Sequence, residues 1–183
     1  MKLKPLPLTG AYEIERAPHI DARGIFCRLY DYEILRGAGV EKPIAQINHS
    51  VTNGRGIVRG MHFQHPPAAE TKIVSCLEGR VLDVIVDIRR GSATFLKWCA
   101  VELNAARHNT VIVPEGFAHG FQTLEDRATL VYATTAPYSK EHESGLRCTD
   151  PRLAISWPMP PAGLSERDQT FRPLDDAFSG VAP

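Results

Sequence analysis

Arg59-Gly60-Met61-His62-Phe63-Gln64-His65-Pro66-Pro67 and, further along, Pro114-Glu115-Gly116-Phe117-Ala118-His119-Gly120-Phe121 carry more information than any other stretches of this chain. Each is β-rich, punctuated by Gly or Pro, and sets a histidine among apolar residues. His62, His65 and His119, together with Glu70, invite a metal reading, because imidazole and carboxylate suit a divalent transition metal. Ligand count argues against it. In a strand His62 and Gln64 share one face, and His65 runs directly into two prolines that take the chain away from the strand. Too few inward ligands remain, and no bound metal is expected.

Around these stretches, short β-rich runs separated by Gly, Pro, Asn or Asp recur from residue 11 to about 135 with little helical periodicity. Strands are predicted over Tyr12–Glu15, Gly24–Tyr30, Ala45–Val51, Ile57–Gln64, Thr71–Leu77, Arg80–Asp87, Phe95–Leu103, Thr110–Val113, Gly116–Thr123 and Ala128–Thr135. Glu78-Gly79 is a hairpin signal, and Arg89-Arg90-Gly91-Ser92 a loop. Short helical turns are expected at Tyr32–Arg36, ending at Gly37, and around Leu164–Asp168. The pattern predicts an antiparallel all-β sandwich or barrel with short peripheral helices. The proline-rich stretch after residue 150 is expected to wrap over that barrel as part of one domain spanning 1–183, its last ten or so residues being the most flexible.

Within Arg80–Asp87, Leu82, Val84 and Val86 share one face while Val81, Asp83, Ile85 and Asp87 share the other. A carboxylate flanked by Val81 and Ile85 is costly if buried alone. Asp83 is therefore expected to meet a cation or a histidine inside the barrel, unless that face is solvent-exposed.

Bulk properties exclude several function classes. The chain has 183 residues, with 21 Lys+Arg against 21 Asp+Glu, so no global field exists to hold nucleic acid or an acidic membrane. No apolar run is long enough to span a bilayer, and Met1–Leu8, cut by two prolines, does not read as a signal peptide. Cys27, Cys76, Cys99 and Cys148 stand far apart, as reduced thiols of a cytoplasmic protein would.

The two quoted stretches resemble the half-motifs of the cupin barrel. A cupin normally places a metal-binding Glu seven residues before the closing glycine, here Gly79, and that position is Lys72. An ammonium has no lone pair to ligate a cation, but it can stabilise an oxyanion. The replacement points from metal chemistry toward enolate chemistry.

A wider set of stretches is similar to one cupin family, the dTDP-4-dehydrorhamnose 3,5-epimerases. They include Asp21-Ala22-Arg23-Gly24, Gln46-Ile47-Asn48-His49-Ser50, Val58–Gln64, Lys72-Ile73-Val74, Val81–Val84, Pro114–Phe121, Tyr132, Tyr138 with Glu143, Ile155-Ser156-Trp157-Pro158 and Leu164–Asp168. The resemblance implies cofactor-independent inversion at C3, C5 or both of a nucleotide-linked 4-keto-6-deoxy sugar. Both hydrogens are α to the carbonyl, so such an enzyme needs a near-neutral base, a partner for the enolate oxygen and an acid across the ring. His62 suits the base and Lys72 the oxyanion partner. By resemblance Tyr132 is the acid and Asp168 the carboxylate that orients His62. The same resemblance assigns Arg59, Asp83, His119 and Arg167 to the region of the diphosphate and sugar, and Arg23, Phe26, Gln46, Ile47, Asn48, Tyr138 and Glu143 to the nucleotide path. It further implies a homodimer whose N-terminal strand crosses to the partner's sheet.

One geometric demand follows. Arg59 and His62 are three apart and alternate to opposite faces unless Gly60 marks a bulge, which is expected. Three positions depart from the family: Cys27 and Arg28 stand where relatives carry an aromatic and Glu, and Ala133 where Lys follows the tyrosine. They bear on the nucleotide base and on which carbon is inverted. A metal-dependent cupin enzyme and a non-catalytic sugar-nucleotide binder remain the alternatives.

Overall fold

A computed structural model describes residues 1–182. Its strands are β1 Lys2–Pro5, β2 Tyr12–Glu15, β3 His19–Asp21, β4 Gly24–Phe26, β5 Gln46–Asn53, β6 Val58–Gln64, β7 Lys72–Glu78, β8 Arg80–Asp87, β9 Trp98–Asn104, β10 Asn109–Val113, β11 Phe117–Thr123, β12 Arg127–Thr134 and β13 Glu143–Gly145; the helices are α1 Tyr32–Gly37 and α2 Glu166–Thr170. One sheet runs β1-β2-β10-β7-β12-β5 and the sheet facing it β13-β6-β11-β8-β9, with β3 and β4 paired as a separate hairpin. The pairings are antiparallel throughout, giving the all-β cupin-type jelly roll.

The central strands are covered on both faces, which explains their near-continuous apolar runs. Between the sheets lie Val74, Val111 and Leu130 from one and Val81, Ile85, Val101 and Phe121 from the other. On the outer side of the five-stranded sheet, Val84, Val86 and Met61 pack against Leu153, Leu164, Leu174, Phe178 and Val181 of the C-terminal segment. On the outer side of the six-stranded sheet, Ile14, Ile73 and Ile112 pack under Leu35 and Val40. Each such aliphatic side chain contributes about 1.5–3 kcal/mol through burial. The faces of β8 are those the alternation predicts, and the Asp83 face is interior.

The C-terminal tail is tied down as far as Val181, which is 5% exposed and exchanges backbone hydrogen bonds with Ile88 and Arg90. The tail expected to be loose is thus packed through that residue. Two predicted strands are shorter than expected. The run from Gly24 ends at Phe26, and the one from Phe95 begins at Trp98, because Leu96 adopts a left-handed φ of 58° inside a turn.

The first strand is hydrogen-bonded to β2 of its own chain, Lys2 opposite Glu15. The N-terminal stretch that lacks cover is the β3–β4 hairpin, where Ile20, Ile25 and Phe26 are 67%, 58% and 70% exposed. No helix among the described residues is long and apolar enough to cross a membrane.

Candidate active site

The mouth of the barrel holds a cavity of about 710 Å³. Its floor comes from β6, β7, β11 and β12, and its rim from β5, the Tyr138 loop, β13 and the residues leading into α2. Among the described residues no group of three or more His, Cys, Asp and Glu side chains converges as an ion would need.

Strand β6 delivers two of the lining side chains because it is irregular. Opposite β11, His62 faces His119 and Arg59 faces Phe121, so three steps along β6 match two along β11. This is the bulge expected at Gly60. Gly60 has φ +125°, and a Cβ there would lie 2.5 Å from the Cα of Gly120. Only glycine lets the backbones approach so closely. The extra residue turns Arg59 and His62 into the same cavity, where Arg59 donates to the Ser50 hydroxyl.

His62 Nε2 lies 2.6 Å from Asp168 Oδ1. Asp168 sits in the first turn of α2, whose N-cap Ser165 accepts from the Asp168 backbone N–H at 3.1 Å. Burial pushes the Asp168 carboxyl up, but the His62 contact, the bond to Ser165 and the Arg167 charge together hold the group below the ordinary carboxylate value. An ionised Asp168 fixes the proton on Nε2 and leaves the Nδ1 lone pair of a neutral imidazole free to accept a proton. Beside it, the ring of Phe171 stands edge-on at 6.3 Å.

His119, the cross-strand neighbour of His62, is held in the same way, Nε2 lying 2.8 Å from Asp83 Oδ2. Asp83 is 1% exposed, behind the cavity wall rather than in it, and among the described residues its Oδ1 has no hydrogen-bond partner. The sequence expectation that Asp83 meets a histidine inside the barrel holds.

Lys72 opens β7 and points inward, with its side chain 13% exposed. Its Nζ donates to the His62 carbonyl at 3.4 Å and stands 3.3 Å from Glu70 Oε1. Tyr132, on β12 opposite Val74 and Asn48, projects into the same space. Burial, aided by the negative charges of Glu70 and Glu143 and opposed by Arg59, raises its phenol above the ordinary value. The hydroxyl therefore keeps its proton at neutral pH. The arrangement sets a proton acceptor, a cation and a proton donor around one space, which is what enolate chemistry at a carbon beside a carbonyl requires.

At the rim, Tyr138 is 58% exposed and donates from its hydroxyl to Glu143 Oε2 at 2.8 Å. Glu143 also accepts from Arg167. Gln46 Oε1 receives the Tyr138 backbone N–H at 2.6 Å, and Gln64 Oε1 that of Ser139 at 2.6 Å, so two glutamines pin this loop. Asn48 lines the cavity with Gln46.

Four expected site residues are not brought to the cavity, Asp83 behind its wall being the first. Ile47 alternates to the outer face of edge strand β5 and is 72% exposed. Arg23 and Phe26 lie on the β3–β4 hairpin, where Arg23 pairs with Asp21 at 2.6 Å. Sequence reasoning in turn raised Glu70 only as a candidate ligand and gave Ser50 no role of its own. No periodicity marks either one, since Glu70 lies in the loop after Pro67 and Ser50 is an ordinary strand residue.

Comparison with known proteins agrees with this geometry. Residues 5–176 match the family model described as dTDP-4-dehydrorhamnose 3,5-epimerase. The chain is 39% identical to the dTDP-4-dehydrorhamnose 3,5-epimerase of Mycobacterium tuberculosis, covering 100% of this chain and 93% of the relative. It is 40% identical to a dTDP-4-dehydrorhamnose 3-epimerase of Streptomyces niveus, over 100% and 89% of the two. Among solved structures, the dTDP-6-deoxy-D-glucose-3,5-epimerase of Legionella pneumophila in complex with dTDP-4-keto-L-rhamnose superposes with a TM-score of 0.92 at 33% identity, over 100% of this chain and 98% of that one. By its motifs, its barrel and these relatives alike, the chain belongs to the dTDP-4-dehydrorhamnose 3,5-epimerase family and is a sugar epimerase.

Proposed function

We propose that this epimerase inverts C3, C5 or both of a nucleotide-diphospho-4-keto-6-deoxyhexose of the dTDP-4-dehydro-6-deoxyglucose type, without a cofactor. In this reading His62 Nδ1 removes the proton α to the ketone. The electron pair moves to the carbonyl oxygen, which Lys72 stabilises as an enolate, and Tyr132 returns a proton to the carbon from the opposite face. Asp168 stabilises the imidazolium formed on the way. The observation that carries the reading is the His62–Asp168 pair sharing one cavity with Lys72 and Tyr132.

Arg59 and His119 supply donors for the diphosphate, and Gln46, Asn48, Tyr138, Glu143 and Arg167 border the nucleotide path. Arg23, Phe26 and Ile47 fit the same path if the chain works as a homodimer. The element suited to crossing is the uncovered β3–β4 hairpin rather than β1, because its apolar side chains have no packing of their own. The test is deuterium exchange from solvent, read separately at C3 and C5, over dTDP-, UDP-, GDP- and CDP-linked 4-keto sugars. Exchange and inversion with the dTDP sugar are expected, and a panel without any exchange would sink the reading in favour of a binding protein.

A further inference from the structure

Glu70 is the cavity-lining carboxylate that the mechanism above leaves unused. Its side chain is 10% exposed, and among the described residues its ion-pair partner is Lys72, at 3.3 Å. The charged and titratable groups acting on it come from several elements: Lys72 on β7, His119 on β11, Glu143 on β13 and Tyr132 on β12. His62 and Arg59 on β6 and Asp168 on α2 line the same cavity.

A lysine stem has four rotatable bonds, and an ammonium free to sample them loses the fixed geometry that oxyanion stabilisation depends on. Two acceptors hold this one: the His62 carbonyl, which ties it to the strand of the base, and the Glu70 carboxylate, which approaches from the loop before β7. Resting on the enolate reading, we propose that Glu70 is a positioning residue, which anchors the Lys72 ammonium at the cavity wall so that it meets the ketone oxygen without searching for it. The carboxylate also keeps a buried ammonium from standing uncompensated before substrate arrives.

Burial pushes the Glu70 carboxyl above the ordinary value, against the pull of Lys72 and His119.

The experiment compares Glu70→Ala and Glu70→Gln with wild type. In Glu70→Ala, kcat for C3 exchange is expected to fall about 10- to 100-fold, the scale of a displaced catalytic group, with KM nearly unchanged. Relaxation of the Lys72 ε-carbon by NMR in the unliganded protein should show the side chain set free. Glu70→Gln keeps an acceptor oxygen toward the ammonium, so it should restore both kcat and Lys72 order. Wild-type kcat and equally ordered Lys72 in Glu70→Ala would overturn the proposal. So would loss of kcat in both variants with Lys72 still ordered, since charge and not position would then be at work. If wild type exchanges no 4-keto sugar, the functional reading fails, yet the relaxation measurement still decides the anchor.

Discussion

His62 and His119 stand directly opposite each other on β6 and β11, each held through Nε2 by its own buried carboxylate, Asp168 and Asp83. Two oriented imidazoles thus face one cavity, and kinetics must separate their roles. His62→Ala is expected to abolish exchange at both carbons, a loss of roughly 10²- to 10⁴-fold in kcat. His119→Ala should act mainly by raising KM. Steady-state kinetics with mass-spectrometric deuterium counting distinguishes them, and full exchange in His62→Ala would move the base elsewhere.

Asp168→Asn keeps the shape of the contact to His62 but removes the charge that stabilises the imidazolium. A drop in kcat of about 10²-fold or more with little change in KM is expected. Near-wild-type kcat would show that α2 merely props the ring.

Tyr132→Phe removes the donor while leaving the base and cation in place. Proton loss from the substrate should persist and inversion should be impaired, visible as deuterium incorporation without product. Because the phenol titrates above its ordinary value, the wild-type reprotonation step should hold through neutral pH and fail only in strong alkali.

Gly60→Ala places a Cβ against the backbone of Gly120 at a φ few L-residues adopt. A loss of about 1–3 kcal/mol in stability is expected, measured by denaturant unfolding, together with a fall in kcat/KM as Arg59 and His62 are re-aimed.

Asp87 gives a pH prediction remote from the cavity. Burial pushes its carboxyl up, but bonds from Arg89, Ser92 and Thr94 overcome this and lower it from 3.8 to about 2. A depressed folded-state value means the contribution is complete above the unfolded value and lost as pH falls through the folded one. It amounts to about 2 kcal/mol by linkage. Unfolding free energy should therefore decline between about pH 4 and pH 2, and Asp87→Asn should flatten that decline.

The central strands were legible because they are packed on both faces and rich in Val and Ile, as in the Val81–Val86 run of β8. Asp83 and Gly60 could be read ahead of the structure for a related reason: each breaks a pattern that its neighbours make firm. The segments at the margins were not legible. β1 has four residues and β3 and β13 three each, too few for a period of two to stand out. That Arg23 and Phe26 lie away from the cavity depends on where a hairpin goes, which no local pattern records. The partnership of Asp168 with His62 spans 106 residues and came from family resemblance, not from spacing.

That long span has a consequence for how the molecule matures. The sheets hold His62, Lys72 and Tyr132, yet the carboxylate behind His62 arrives on the wrapping segment, after every described strand has been made. A chain clipped before Ser165 lacks both that carboxylate and the Leu174, Phe178 and Val181 cover of the five-stranded sheet. Turnover therefore reports that the wrapping segment has docked.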